Sequence, residues 1–230
     1  MATDNTSRMI ELLRKLKVEM NGAVTGAMEQ GGIKYGVNYG VSVPTIKSIA
    51  GEYGKDHSLA LFLYEQDVRE LKLAAFFIDD PERVAASQMR DWSKGFNNPE
   101  IVEQGAMRLF SKSPSAFEMA VEWLDSDNPM LRYAGLLTGA GFVSDIVKNG
   151  ELTDSLLNTV SDLADKTEHM LQDKPADKLT ASGAISILRH AAKYSEGMKG
   201  KVKTISDKLS LSDDILIKHV GTELAWLIEY

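Results

Sequence analysis

Cysteine is absent from the 230-residue chain and histidine is scarce. Without cysteine the protein has no disulfide framework, no thiolate metal site and no cysteine nucleophile. No histidine begins a His-Glu-x-x-His motif, and a catalytic zinc site needs at least three converging ligands. The four histidines lie far apart in the sequence, at His57, His169, His190 and His219. We therefore expect neither a metal nor any other cofactor.

Long apolar runs and signal sequences are missing as well. No run approaches the ~18 residues of a membrane-spanning helix. The first residues, MATDNTSRMIELL, lack the charged-then-apolar pattern of a signal peptide. We therefore expect a cytoplasmic protein with no membrane partner.

The common nucleotide and hydrolase motifs are also absent. The sequence has no Gly-x-Ser-x-Gly elbow. Its glycine-rich stretch GGIKYGVNYG, residues 31–40, lacks the Lys-Ser/Thr ending of a phosphate-binding loop. We interpret this stretch as a loop that either clamps a ligand or simply connects two helices.

Helical periodicity dominates what is present, whereas the alternation of β-branched residues typical of strands is missing. Residues 7–30 predict one helix, and residues 40–79 predict three short amphipathic helices in a row. Proline recurs at predicted helix starts, at Pro44, Pro81, Pro99, Pro114 and Pro129. Helices this short must bury their apolar stripes against neighbours, as in helical-repeat proteins. The sequence predicts an all-α fold of about a dozen helices, forming a single domain over residues 1–230.

The helical pattern also predicts part of the core. Leu73, Phe76 and Phe77 are expected to be buried in the third helix of residues 40–79. All three tryptophans, Trp92, Trp123 and Trp226, are expected in the core as well.

Charge is unevenly distributed along the chain. The net charge of −7 disfavours bulk nucleic-acid binding, which requires Lys and Arg to displace phosphate counterions. Residues 189–208, however, carry six basic side chains and only two acidic ones. This basic segment is either a solvated face or a contact surface for a polyanion, and Arg189 and Lys193 at its start are candidate nucleic-acid-binding residues.

Two stretches between residues 40 and 80 carry a family resemblance. GVSVPTIKSIA and LALFLYEQDVRELKLAAFFIDD resemble the DNA alkylation repair family of glycosylases built on HEAT-like repeats. The likeness extends from about Gly32 to the end of the chain. It implies a HEAT-like α-solenoid whose concave face takes double-stranded DNA. It also implies removal of N3- and N7-alkylated purines, helped by a carboxylate that stabilises developing positive charge on the sugar.

The resemblance assigns site residues by position. Glu103 falls where the family has its catalytic Asp, so Glu103 is the candidate catalytic residue. Arg132 and Arg189 match family arginines and are candidates for holding phosphate. The resemblance also implies that the aromatic platforms are lost, because Pro99, and Ser186 or a neighbour, stand where the family has Trp. Each residue also has a plain alternative: Glu103 as an exposed helix carboxylate, and Arg132 as an arginine that snorkels to solvent.

Three functional hypotheses remain open from the sequence. The first is a divergent family member that binds DNA or another polyanion, with weak or lost glycosylase activity. The second is an active alkylpurine DNA glycosylase that uses Glu103, and the third is a non-enzymatic scaffold for a protein partner. In each case we expect a monomer.

Overall fold

The computed structural model describes residues 4–150 and 152–229, and these residues are almost entirely helical. They form thirteen α-helices and two short 3-10 helices, Pro81–Arg83 and Phe110–Lys112, with no β-strand in the described ranges. A single isolated bridge joins Val37 to Val68. The predicted all-α fold of about a dozen helices is therefore confirmed. No helix in the part of the chain that the structure describes is long and apolar enough to cross a membrane.

The chain divides into two compact units, one ending at Leu109 and the other beginning at Phe110. The N-terminal unit contains α1 Asn5–Val18, α2 Gly22–Gln30, α3 Val43–Gly51, α4 His57–Tyr64, α5 Arg69–Ile78, α6 Ala86–Ser93 and α7 Pro99–Arg108. The C-terminal unit contains α8 Ala116–Leu124, α9 Pro129–Asn149, α10 Asp154–Asp173, α11 Lys178–Ala192, α12 Glu196–Ser210 and α13 Ile215–Glu229. The single domain over residues 1–230 stays a prediction.

Helix starts in the N-terminal unit follow local sequence signals. Ser42 caps α3 by accepting a hydrogen bond from the Thr45 N–H, with a proline in the first turn. The predicted helix over residues 7–30 is in fact two, because the Asn21 side chain caps a new helix, α2. The proline at residue 81 begins only a 3-10 turn, and α6 begins at Ala86.

The core of the N-terminal unit is built around Phe76. This ring is 1% exposed and lies 5.5 Å from the Tyr64 ring and 5.7 Å from the Trp92 ring, measured between centroids. Leu73 is fully buried, as predicted. Phe77 is only partly buried, because it lies about 100° around the helix from Phe76.

In the C-terminal unit α9 packs against α8 and α11, and α12 packs against α13. Close approach requires glycine here: a Cβ on Gly183 would lie 2.8 Å from the Leu136 Cβ. Trp123 is buried as predicted, but Trp226 is 58% exposed, so its predicted place in the core is wrong. The buried side of α13 carries residues spaced by four, Val220, Leu224 and Ile228. Trp226 falls about half a turn away from that side.

Candidate nucleic-acid interface

A cleft of about 360 Å³ lies in the C-terminal unit, where the end of α11 meets the start of α12 and the end of α13. Three basic side chains line it, Arg189, Lys193 and Lys199, and Leu227 contributes apolar surface. We call this the basic cleft. Arg189 and Lys193 are four residues apart and therefore share one face of α11. Lys199 comes from the first turn of α12 and reaches the cleft because the two helices meet there.

The first turn of α12 adds hydrogen-bond donors to the basic cleft. Ser195 caps the helix by accepting a hydrogen bond from the Met198 N–H. The two preceding amides, at Glu196 and Gly197, have no intrahelical partner because of their position in the helix. Helix N-termini favour anions through these free N–H groups and the helix dipole. The Glu196 carboxylate also lines the cleft and opposes this attraction.

Two other basic residues of segment 189–208 are paired with carboxylates, whereas the cleft lysines are not. Lys201 is held by Asp165 at 2.6 Å, and Lys208 by Glu168 at 3.0 Å, both carboxylates being on α10. Lys193 and Lys199 have no ion-pair partner among the described residues. The Nε of Arg189 is buried and makes no hydrogen bond in the described part of the chain. Four basic side chains of this segment therefore lack an ion-pair partner in the described ranges, and three of them, Arg189, Lys193 and Lys199, line the basic cleft.

The pKa of His190, which lies beside the cleft residue Arg189, is affected by the positive charges of the cleft. Burial lowers the pKa of His190, a hydrogen bond to the Ser186 carbonyl opposes the shift, and the nearby positive charges lower the pKa further. Those charges include Arg189 and Lys193. The lowered pKa favours the neutral form of His190.

Arg132 lies at the start of α9 in the same unit and is 3% exposed. Its Nη1 donates to the carbonyls of Ser126 and Asp127 at 3.2 and 3.0 Å, and its Nη2 donates to the Pro175 carbonyl at 3.2 Å. The guanidinium thus ties the loop before α9 to the segment between α10 and α11. These contacts support a structural role, and the phosphate contact of Arg132 stays a prediction.

Glu103 lies on α7, in the N-terminal unit, with a partly buried side chain. Pro99 begins α7 with Asn98 as its cap. The catalytic role of Glu103 stays a prediction. Among the described residues no group of three or more His, Asp or Glu side chains is placed to hold a metal ion.

The sequence indicates Arg189 and Lys193 as candidate binding residues but does not indicate Ser195 and Lys199. The start of α12 at Glu196 places Ser195 and Lys199 at the cleft. A serine followed by an acidic residue is a helix-start signal and could have placed the first turn correctly.

Three comparisons relate the chain to known proteins. The model of the family described as "DNA alkylation repair enzyme" matches residues 12–194. None of the curated proteins matches the sequence. One solved structure is similar with a TM-score of 0.73 and 19% identity, over 96% of this chain and 94% of the other. It is described as "a new family of proteins related to the HEAT-like repeat DNA glycosylases with affinity for branched DNA structures". This likeness confirms the predicted HEAT-like helical fold.

Proposed function

Because the chain belongs to the DNA alkylation repair enzyme family, we propose that it binds DNA through the basic cleft and has weak or no glycosylase activity. The single observation that supports this proposal is the cleft itself, which is lined by three cations and by the residues at the start of α12. Lysine and arginine at a helix N-terminus suit the phosphates of a nucleic-acid backbone. The affinity of the structurally similar proteins for branched DNA makes duplex and branched DNA the two substrates to compare.

Weak or absent base release is the second part of the proposal. Stacking on aromatic side chains contributes about 1–3 kcal/mol per base in nucleic-acid binding. The resemblance places family tryptophans at Pro99 and at Ser186 or a neighbour, so we expect this contribution to be missing. Binding that depends on charge alone is strongly sensitive to salt.

The test measures binding of a duplex and of a four-way DNA junction at several salt concentrations. The variant Lys193→Ala/Lys199→Ala removes two cleft cations. We expect weaker binding to both DNAs, and a salt slope reduced by about 0.9 per lost phosphate contact. Lys203→Ala is the matched control, because Lys203 is an exposed lysine on the same helix that does not line the cleft.

Two outcomes would contradict the proposal. Absence of binding to either DNA at low salt would exclude DNA as the ligand. Equal losses in Lys203→Ala and in the single variant Lys199→Ala would mean that the cleft is not the contact surface.

A protein-interaction scaffold is the second candidate function, and exposed apolar side chains favour it. Leu211 and Ile215, on either side of the α12–α13 connection, are 84% and 82% exposed. Exposed apolar surface of this kind is typical of protein contact sites when it forms a patch. Lack of DNA binding in the assay above, with a folded protein, would favour this candidate.

A further inference from the structure

The N-terminal unit has its own polar cavity, of about 280 Å³, which the DNA-binding proposal does not use. It lies between the glycine-rich loop and the starts of α5 and α7. Its polar side chains are Lys34, Tyr35, Asp67, Lys72 and Asn97, and glycine backbone at residues 36 and 95 completes the lining.

The wall formed by the glycine-rich loop is fixed by backbone contacts. The Val37 N–H donates to the Asp67 carbonyl at 3.1 Å, and the Arg69 N–H donates to the Val37 carbonyl at 2.9 Å. A Cβ at residue 36 would lie 1.8 Å from Oδ2 of Asp67, so a larger residue there would have to displace the Asp67 carboxylate. The loop therefore lies directly against the segment that carries the Asp67 carboxylate.

A buried ionic network fixes the same loop from the other side. The Tyr35 hydroxyl donates to Oε2 of Glu100 at 2.9 Å, and Glu100 is held in turn by Arg69, which is 3% exposed. Burying such charges is costly, and a buried ion pair contributes little net stability. What this network does achieve is a defined position for Lys34 and Tyr35 in the cavity wall. Preorganised polar groups on a rigidly held loop are typical of binding sites.

Lys72 is the second cation of the cavity and is partly buried. Its Nζ donates to the Tyr64 carbonyl at 2.8 Å and lies 4.7 Å from the centre of the Tyr64 ring. No ion-pair partner of Lys72 is found in the described ranges. Burial lowers the pKa of Lys72, and the charge of Asp67 only partly opposes the shift. The ammonium group is thus incompletely compensated, and an anion in the cavity would complete its environment.

We propose that this cavity binds the phosphate group of a phosphorylated sugar. Lys34 and Lys72 hold the phosphate, and the Asp67 carboxylate accepts hydrogen bonds from sugar hydroxyls. Pockets for drug-sized ligands have volumes of roughly 300–1,000 Å³, so a cavity of about 280 Å³ suits a smaller ligand of this kind. The same chemistry is offered by a free sugar phosphate and by the phosphorylated end of a nucleic-acid strand.

To test this proposal, the full chain is titrated with ribose 5-phosphate, inorganic phosphate and ribose. Binding is measured by calorimetry and by changes in amide NMR chemical shifts. We expect saturable binding of ribose 5-phosphate, with shifts centred on Gly36 and Gly95, and weaker binding of ribose. Loss of a charged hydrogen bond predicts an affinity reduced about tenfold or more in Lys72→Met. Lys34→Ala, at an exposed position, should weaken binding without affecting the fold, and Lys47→Ala is the matched exposed control.

A second pair of ligands distinguishes the two sources. The first comparison is between a 5′-phosphorylated oligonucleotide and the same oligonucleotide without the phosphate. Tighter binding of the phosphorylated form that depends on Lys34 identifies a strand end as the ligand. Binding of ribose 5-phosphate without such a difference identifies a free sugar phosphate.

Two results would overturn the proposal. The first is that ribose 5-phosphate shows no saturable binding at concentrations up to about 10 mM, because any affinity would then be weaker than that of ordinary small-molecule sites. The second is binding that Lys34→Ala and Lys72→Met both leave unchanged. Lys193→Ala/Lys199→Ala is expected to leave the binding of ribose 5-phosphate intact. Failure of the sugar-phosphate proposal can therefore be distinguished from failure of the DNA-binding proposal.

Discussion

Arg69 and Glu100 form a two-point ion pair that joins the starts of α5 and α7. The Nε–Oε2 distance is 2.8 Å and the Nη2–Oε1 distance is 2.6 Å. Glu70 adds a third contact, at 2.9 Å from Nη1 of the same guanidinium. Burial acts to lower the pKa of Arg69, but the hydrogen bonds and charges of Glu100 and Glu70 together outweigh burial and raise the pKa. The arginine is therefore charged, and its stability in the interior depends on these carboxylates.

Glu100→Ala is expected to destabilise the protein strongly. Removing one partner of a buried ion pair leaves the other charge uncompensated, which typically costs about 3–5 kcal/mol. We expect the lower part of this range, because Glu70 still compensates Arg69 in the variant. The free energy of unfolding from urea titration measures the effect.

The control for this prediction is an exposed ion pair in the same unit. Glu52 lies 2.9 Å from Lys15, and both side chains are well exposed to solvent. Glu52→Ala should cost less than about 1 kcal/mol. Similar losses for Glu52→Ala and Glu100→Ala would contradict the importance assigned to the buried network.

The helical architecture could be predicted from the sequence because its signals are local. Proline lies in the first turn of α3, α7 and α9, as the sequence indicates. The break between α1 and α2 was missed because Asn21 caps a helix inside a continuous apolar pattern. Trp226 was misplaced because residue type alone does not reveal which side of α13 meets its neighbours.

The candidate sites depend on contacts between distant parts of the chain, which local patterns do not encode. The spacing of Arg189 and Lys193 places them on one face of a helix, but Lys199 joins them only through helix packing. The Arg132 guanidinium binds the carbonyl of Pro175, 43 residues away. The cavity of the N-terminal unit likewise brings Lys34 and Lys72 together from separate segments.

Two adjacent phenylalanines of α5 should differ clearly in their contribution to stability. Phe76 is 1% exposed and packs between the Tyr64 and Trp92 rings, so Phe76→Ala should cost about 3–5 kcal/mol. Phe77 is only partly buried, so Phe77→Ala should cost distinctly less. Urea denaturation of both variants checks the order, and a larger loss for Phe77→Ala would reverse our assignment of the buried face.

Two glycine-to-alanine substitutions in the C-terminal unit should change the stability of the protein in opposite directions. A Cβ on Gly221 would lie 2.4 Å from the Ser210 backbone nitrogen, so Gly221→Ala should destabilise the contact between α12 and α13. At Gly200, inside α12, a Cβ meets nothing within 4 Å. Gly200→Ala should therefore stabilise the protein by about 0.5–1 kcal/mol through helix propensity. Thermal unfolding of both variants measures the signs, and stabilisation by Gly221→Ala would show that the two helices can separate without cost.

The cap of α4 predicts a pH-dependent contribution to stability. The Asp56 carboxylate accepts a hydrogen bond from the Leu59 N–H at 3.0 Å and pairs with Arg8. The Leu59 hydrogen bond, together with Arg8, lowers the pKa of Asp56 below its ordinary value of 3.8. Because the folded-state pKa is depressed, the stabilisation is present above pH 3.8 and is lost as the pH falls through the folded-state pKa.

Asp56→Ala should therefore destabilise the protein by about 1 kcal/mol at pH 7, a typical value for a helix cap. The difference from the unsubstituted protein should shrink when urea titrations are repeated near pH 3. Asp56→Asn keeps a cap acceptor without the charge and should lie between the two proteins at pH 7. A loss in Asp56→Ala that is the same at both pH values would show that the charge contributes nothing.

Glu103→Gln tests the remaining catalytic prediction. If the Glu103 carboxylate stabilises positive charge on the sugar as the glycosidic bond breaks, removing its charge abolishes release of 7-methylguanine from alkylated DNA. We expect weak or no release from the unsubstituted protein and none from Glu103→Gln. DNA binding should be unchanged or slightly tighter in the variant, since a negative charge is removed.

Glu82→Gln, at an exposed carboxylate of the same unit, is the matched control. Strong release that is lost only in Glu103→Gln would establish an active glycosylase and contradict our proposal of weak activity. Strong release that survives the substitution would place the catalytic carboxylate elsewhere in the chain.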